Sequence, residues 1–282
     1  MKAEMNFFKA RDFCFPLGKR TYIMGILNVT PDSFSDGGLY LEPGKAIERA
    51  LEMQHQGADI IDIGAQSTRP GAQLLDAEDE IARLSPVLDA LKDKLTIPVS
   101  VDTFYPQTAE FALKNQAAVI NDVSGTVNPL LAELVKKYGA GWVIMHNAGG
   151  AQVVNTVYEG GVIKAVRGFF DKAFEQAVRL GVIKENLCFD AGIGFGKSHE
   201  DNLELLRHLN EVKIEGIALL TAASRKRVVG FATGEEHPEM RVEGTIAANT
   251  AAIAGGTDFI RVHDIPQALQ GAKMADALFR IS

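Results

Sequence analysis

The hydrophobic positions of the chain fall into short continuous runs separated by longer stretches with helical periodicity. The runs are "TYIMGILN" (21–28), "ADIIDIG" (58–64), "IPVSVD" (97–102), "AAVIND" (117–122), "WVIMH" (142–146), "LCFD" (187–190), "IALLTAAS" (217–224) and "DFIRVHD" (258–264). They are rich in Ile, Val and Leu and mostly lack apolar–polar alternation, the pattern of parallel strands covered on both faces. Between them, "DAEDEIARLSPVLDALKDK" repeats Ile81, Leu84, Leu88 and Leu91 at helical spacing, with Asp76 and Asp79 where an N-cap and first turn favour acid. "GKAIERALEMQHQG" puts Ile47, Ala50 and Leu51 on one face and stops at Gly57, and "IKAVRGFFDKAFEQAVRLG" ends at Gly181. Eight strand–helix alternations without a linker predict an α/β chain closed into a (β/α)8 TIM barrel. The barrel is a single domain over residues 21–282, with residues 1–20 as a short N-terminal extension. A doubly wound open sheet is the competing architecture; the regularity of the units favours closure.

Each run ends in a residue that can hydrogen-bond or ionise: Asn28, Asp62, Asp102, Asn121, His146, Asp190, Ser224 and His263. In a barrel these ends gather at the face where the strand-to-helix loops build the active site. Eight converging there would form a polar cup too costly to bury without a ligand or internal pairing. The first of the loops, "NVTPDSFSDGG", carries Pro31, Gly37 and Gly38, which suit a long, mobile connection.

Composition changes this picture little: 282 residues, 46% hydrophobic and 23% charged, describe an ordinary globular chain. The net charge of −7 argues against a general nucleic-acid binder but leaves room for an anionic small molecule held by a few local cations. Cys14 and Cys188 match no metal-ligand spacing, and no disulfide is expected between them. The N-terminus mixes charge among its aromatics and lacks a signal-peptide core, and no apolar stretch approaches the ~20 residues needed to span a bilayer. A cytoplasmic protein without membrane or nucleic-acid partners is expected, with Phe7, Phe8, Phe13 and Phe15 suited to plug the far end of the barrel.

Three motifs carry candidate chemistry. "DAGIGFGKS" (190–198) fits neither the P-loop nor the dinucleotide fingerprint, because Ala191 and Lys197 stand where glycines are required. It reads either as a turn after a strand or as glycines that let backbone approach a flat ligand beside Asp190. "TAASRKRVVG" (221–230) sets Ser224, Arg225, Lys226 and Arg227 at a strand–helix junction, so at least one cation should face the cup. "FIRVHD" (259–264) puts Arg261 and His263 on one strand face, either as structural groups or as an anion clamp. His55, His199, His208 and His237 read as surface residues, no zinc spacing occurs, and the absence of GxSxG argues against a hydrolase.

Taken in order, "ILNVTPDSFSDGG", "GADIIDIGAQSTRPGA", "VSVDTF", "VINDVSG", "DAGIGFGKS…NLELL", "ASRK" and "RVHD" closely resemble the dihydropteroate synthase family, from about Tyr22 to Asp264. The resemblance implies a (β/α)8 barrel that joins 6-hydroxymethyl-7,8-dihydropterin diphosphate to p-aminobenzoate in folate biosynthesis, the step targeted by sulfonamides. It implies that Asp102, Asn121, Asp190 and Lys226 bind the pterin. Asn28, Thr68, Arg261 and His263 would take the diphosphate, with Mg2+ on Asn28. Asp36 and Asp102 would stabilise the cation at the pterin methylene, with Lys226 completing the catalytic set. Phe34, Arg69, Pro70, Phe195 and Arg227 would frame p-aminobenzoate, with Asp36 and Arg69 as an ion pair across two closing loops. A homodimer is implied as well.

Four positions depart from the family pattern. Gln66 replaces the glutamate of "ESTRPG", Ala191 the proline of "DPGIGFGK", Asn147 the second methionine of "MHM", and Arg227 the final serine of "SRKS". Arg227 could pair with the aminobenzoate carboxylate, lie outward or fill the slot. The last would leave a pterin-binding paralogue without synthase activity. A methyltetrahydrofolate-dependent methyltransferase is the more distant alternative, disfavoured by the intact "NVTPDSF", "STRPG" and "SRK" loops.

Overall fold

The computed structural model describes residues 5–29, 43–66, 75–148 and 156–280. The eight apolar runs form the strands β3 (Tyr22–Asn28), β4 (Ile60–Gly64), β5 (Val99–Asp102), β6 (Val119–Asp122), β7 (Gly141–Met145), β8 (Leu187–Asp190), β9 (Ala218–Thr221) and β10 (Phe259–Val262). All pair in parallel, and β10 closes on both β3 and β9, so the sheet is a barrel without edges. The helices α1 (Pro43–His55), α2 (Ala77–Leu91), α3 (Pro106–Lys114), α4 (Pro129–Tyr138), α5 (Val162–Arg179), α6 (His199–Arg207) and the short α7 (Leu209–Val212) cross between strands. Two crossovers hold two helices where one was expected, β8–β9 with α6 and α7 and β9–β10 with α8 (Arg227–Thr233) and α9 (Val242–Ala254), and α10 (Ile265–Phe279) ends the described chain. Local chemistry sets the helix starts as the sequence suggests: the Asp76 carboxylate caps α2 by accepting from the Asp79 amide at 2.9 Å.

Strand alternation divides the core in two. Ile23, Leu27, Ile61, Ile63, Val101, Ile120, Trp142, Ile144 and Ile260 face outward into the layer between sheet and helices. Tyr22, Met24, Ile60, Val119, Val143, Cys188, Leu220 and Phe259 face inward and fill the lower half of the barrel.

The floor of the barrel is closed by an antiparallel hairpin, β1 (Phe7–Ala10) and β2 (Phe13–Pro16). Phe8 and Phe15 insert into the inner cluster, each meeting Phe259 edge-on at 5.4 Å between ring centroids. Phe13 packs partly against the same cluster, and the Asn186 amide ties the hairpin to the barrel through the Lys9 carbonyl at 2.7 Å. Close docking depends on Gly141, where a Cβ would lie 2.5 Å from the Phe8 ring. Among the described residues no helix is long and apolar enough to cross a membrane.

The plug predicts a stability effect remote from the barrel's upper end. Phe8→Ala should lower the free energy of unfolding by about 3–5 kcal/mol, read as a lower urea midpoint, because the closed floor cannot collapse onto the void.

Candidate active site

The alternation that sends Met24, Ile60, Val119, Cys188 and Phe259 into the lower barrel sends Asn28, Asp62, Asp102, Asn121, Asp190 and Arg261 into its upper half. Arg261 is central. From β10 it reaches over β3, its Nε donating to Asp62 Oδ2 at 2.6 Å and its Nη2 to Asp102 Oδ2 at 3.1 Å. Asn121 Nδ2 donates to the same Asp62 oxygen at 3.1 Å. Asp62 is fully buried, and its second oxygen, Oδ1, has no hydrogen-bond partner, an unusual state for a buried carboxylate. Asn28 lies beside Asp102 across Gly64: a Cβ there would meet Asn28 Oδ1 and Asp102 Cβ, each at 3.6 Å.

The other wall comes from β8 and β9. Asp190 Oδ1 accepts from the Gly192 amide at 2.7 Å, the first bond of a turn whose Gly192, Gly194 and Gly196 all take positive φ. At Gly192 a side chain is excluded outright, since a Cβ would fall 2.0 Å from the His146 carbonyl oxygen. Lys226, just beyond β9, donates to the Ile193 carbonyl and stands 4.7 Å over the Phe195 ring. The β9–β10 corner continues the wall: Ser224 Oγ lies 3.0 Å from His263 Nδ1 and accepts from the His263 amide at 3.2 Å.

Burial dominates the electrostatics. It pushes the Asp102 carboxyl up to about 7, against the pull of Arg261 and with help from Asp62 and Glu80. It raises Asp190 as well, opposed chiefly by Lys226. Burial lowers the Lys226 ammonium to about 8, with Asp190 holding it up. Burial also works against the Arg261 guanidinium, but Asp62 and Asp102 outweigh it and keep the group above its ordinary value. The result is a cup of carboxylates, an amide and two cations, a mixed array suited to a flat, polar heterocycle with donors and acceptors on its edge.

Several expected residues thus come together: Asp102, Asn121, Asp190, Lys226 and Arg261 form the cup, with Asn28, Phe195 and His263 at its upper edge. Arg227, the first residue of α8, is exposed beside Lys226, not packed into the ring. Phe34, Asp36, Thr68, Arg69 and Pro70 lie outside the described residues. The expectation that all eight polar strand ends converge is corrected at His146. Its position shares the outward side of Trp142 and Ile144, so its ring packs against Phe169 and Tyr158, and burial holds it neutral with a pKa of about 3. Asp62 was recognisable only as a polar strand end. Its place under Arg261 follows from sharing the inward parity of Ile60. The departures find ordinary structural roles: Gln66 Oε1 accepts from the Leu75 amide at 2.7 Å, Asn147 Nδ2 donates to the Val123 carbonyl at 2.9 Å, and Ala191 is buried.

Comparison with known proteins agrees with this geometry. The family described as pterin binding enzyme matches residues 24–263. A curated relative, dihydropteroate synthase of Synechocystis sp., is 44% identical over 268 residues, covering 94% of this chain and 93% of the relative. Among solved structures, dihydropteroate synthase of Clostridium difficile, determined with pteroic acid, has a TM-score of 0.88 at 45% identity, covering 94% of this chain and 99% of its own. The Xanthomonas albilineans dihydropteroate synthase with 4-aminobenzoic acid has a TM-score of 0.91 at 35% identity, covering 99% and 100%.

The raised Asp102 pKa carries a signed prediction. A carboxyl raised from about 4 to about 7 on folding gives stability that is fully present below pH 4 and lost as pH rises through 7. Relative to Asp102→Asn, the wild type should therefore lose about 1.4 kcal/mol per pH unit across the middle of that window. Urea unfolding of both proteins from pH 4.5 to 8 measures it, and parallel curves would contradict the assignment.

Proposed function

Because the chain belongs to the pterin-binding enzyme family, we infer that it is a transferase joining 6-hydroxymethyl-7,8-dihydropterin diphosphate to p-aminobenzoate, yielding 7,8-dihydropteroate and pyrophosphate. One observation carries the reading: a buried cup in which Asp62 keeps an unpaired oxygen beside Asn121, Asp102, Asp190 and Lys226. A pterin edge supplies the missing partners. Asp190 accepts the ring N–H and exocyclic amine, Asn121 and Asp102 meet other edges, and Asp62 Oδ1 takes a further donor. Lys226 donates to the ring carbonyl, a bond for which its ammonium is already poised above Phe195.

In the reaction the bond between the pterin methylene and the diphosphate oxygen breaks with its electrons leaving on pyrophosphate. The methylene cation delocalises into the ring, where Asp102, together with Asp36, stabilises it electrostatically. The aniline nitrogen then attacks and loses a proton, so no strong protein base is required. Arg261, His263 and Thr68 hold the diphosphate. The donor set also fits magnesium, which keeps most of its waters and takes only one or two protein oxygens beside substrate phosphates. Asn28 Oδ1 is such an oxygen, next to Asp102, whereas no group of three or more His, Cys, Asp or Glu gathers among the described residues. Bound there, Mg2+ would neutralise charge on the departing diphosphate. Phe195, the Lys226 stem and Arg227 form the described part of the aminobenzoate slot, completed by Phe34, Arg69 and Pro70. The exposed guanidinium of Arg227 suits the substrate carboxylate. We also infer a cytoplasmic homodimer with no partner beyond its small-molecule substrates.

Pyrophosphate release by the purified protein with Mg2+ should depend on p-aminobenzoate and match dihydropteroate formation mole for mole. Release indifferent to p-aminobenzoate would leave a pterin-binding protein whose second slot does not work. Arg227→Ser should raise KM for p-aminobenzoate and shift sulfonamide inhibition on the order of tenfold, the worth of one charge-assisted hydrogen bond. Equal inhibition of the two proteins would remove Arg227 from the slot.

A further inference from the structure

Lys197 is the buried cation that the chemistry above leaves unused. Its side chain is nearly inaccessible, and burial lowers its ammonium to about 7, with Asp190 and Asp201 holding it up from a distance. All three of its acceptors are main-chain carbonyls: Gly192 at 2.9 Å, Phe195 at 3.0 Å and His146 at 3.3 Å. An ammonium has three protons and no acceptor, so the three carbonyls match its donors one for one.

Those carbonyls are not interchangeable with others in the fold. Two belong to the turn between β8 and α6, and the third to the residue after β7, so Lys197 pins the turn to the barrel wall. The turn has one backbone bond of its own, from the Phe195 amide to the Gly192 carbonyl at 3.1 Å, and its far end is held by the Thr156 amide and Tyr158 hydroxyl on the Gly196 carbonyl. Between them Gly192, Gly194 and Gly196 sit at φ of +67°, +84° and +63°, a region glycine visits without preference. Its groups then reach the cup. The Gly192 amide fixes Asp190 Oδ1, the Ile193 carbonyl accepts from Lys226, and the Phe195 ring lies beneath the same ammonium. A Cβ on Gly194 would stand only 3.1 Å from Lys226 Cδ, so turn and lysine are in direct contact. Asn202 supports the far side, accepting from the Gly194 amide at 2.7 Å.

We propose that Lys197 is a positioning residue, holding the 192–196 turn in the shape from which Asp190 and Lys226 engage the pterin. It touches no substrate itself. The proposal rests on the assignment of the cup as the pterin site. Loss of the ammonium takes the lysine donor from the His146 and Phe195 carbonyls, leaves the Gly192 carbonyl with only the Phe195 amide and lets the turn drift, which misaligns Asp190 and Lys226 in the bound state and in the transition state alike.

The test compares wild type, Lys197→Met and Phe8→Ala, the last serving as a destabilised control whose defect lies at the opposite end of the barrel. Lys197→Met should raise KM for the pterin diphosphate about tenfold and lower kcat, with a smaller change in KM for p-aminobenzoate. Its equilibrium affinity for the pterin diphosphate without p-aminobenzoate, measured by calorimetry, should fall in parallel. A fraction of misfolded enzyme would instead lower kcat and leave both KM values in place, the behaviour expected of Phe8→Ala. Unchanged pterin KM and affinity in Lys197→Met, or an equal shift in Phe8→Ala, would overturn the positioning role while wild-type turnover stands. Wild type that binds no pterin would overturn the cup assignment and the inference with it.

Discussion

A guanidinium held between two carboxylates inside the barrel is the interaction on which the site depends. Arg261 spans from β10 to β4 and β5, pairing with Asp62 and Asp102 across the intervening strand. Buried charges of this kind are rarely kept for stability, because an apolar replacement of the same shape often serves as well. Removing one partner is a different matter, since it strands the others in a low-dielectric interior. Arg261 therefore makes the carboxylates tolerable, and they in turn fix where it can point. Asn121 joins through the same Asp62 oxygen, so β4, β5 and β6 each give the cluster one inward polar group, Asp102 level with Asn121 and Asp62 level with Ser100.

That register also explains why chemistry occupies only the upper half of the barrel. The inward positions lower down are otherwise apolar or aromatic, from Met24 and Ile60 to Phe259, with the buried Ser100 on β5 as a polar exception. One further alternation step along the same strands replaces Ile60 with Asp62, Val119 with Asn121, Cys188 with Asp190 and Phe259 with Arg261. On these four strands the change from packing to binding takes place within two residues. The turn after β8 then adds groups that no strand could supply, with backbone bent by glycine and gathered by a lysine.

Much of this was legible in the chain. Continuous Ile/Val/Leu runs need cover on both faces, so their number and spacing gave the barrel, and Asp76 marked a helix start through the chemistry of its cap. The phenylalanines of the first segment pointed to the plug, although the hairpin joining Phe8 and Phe15 was not recognised as one. Identities at strand ends were readable but their directions were not: His146 and Asp62 look equivalent in sequence, and strand parity sends one outward and the other to the centre. Lys197 was invisible for a different reason. Its partners are carbonyls, which every residue has, and they converge only once three glycines have taken left-handed geometry.

The hairpin under the barrel has a consequence for traffic. With Phe8 and Phe15 filling the floor, the barrel is a well with one mouth, and whatever occupies the ring of Asp62, Asn121 and Asp190 sits below anything resting on Phe195. A molecule at that upper level blocks the way in and out for the one beneath. With the cup and the Phe195 level occupied as proposed above, the ligands would have to queue: the deep one would enter first, and a product spanning both levels would leave as one piece by the route its parts came in.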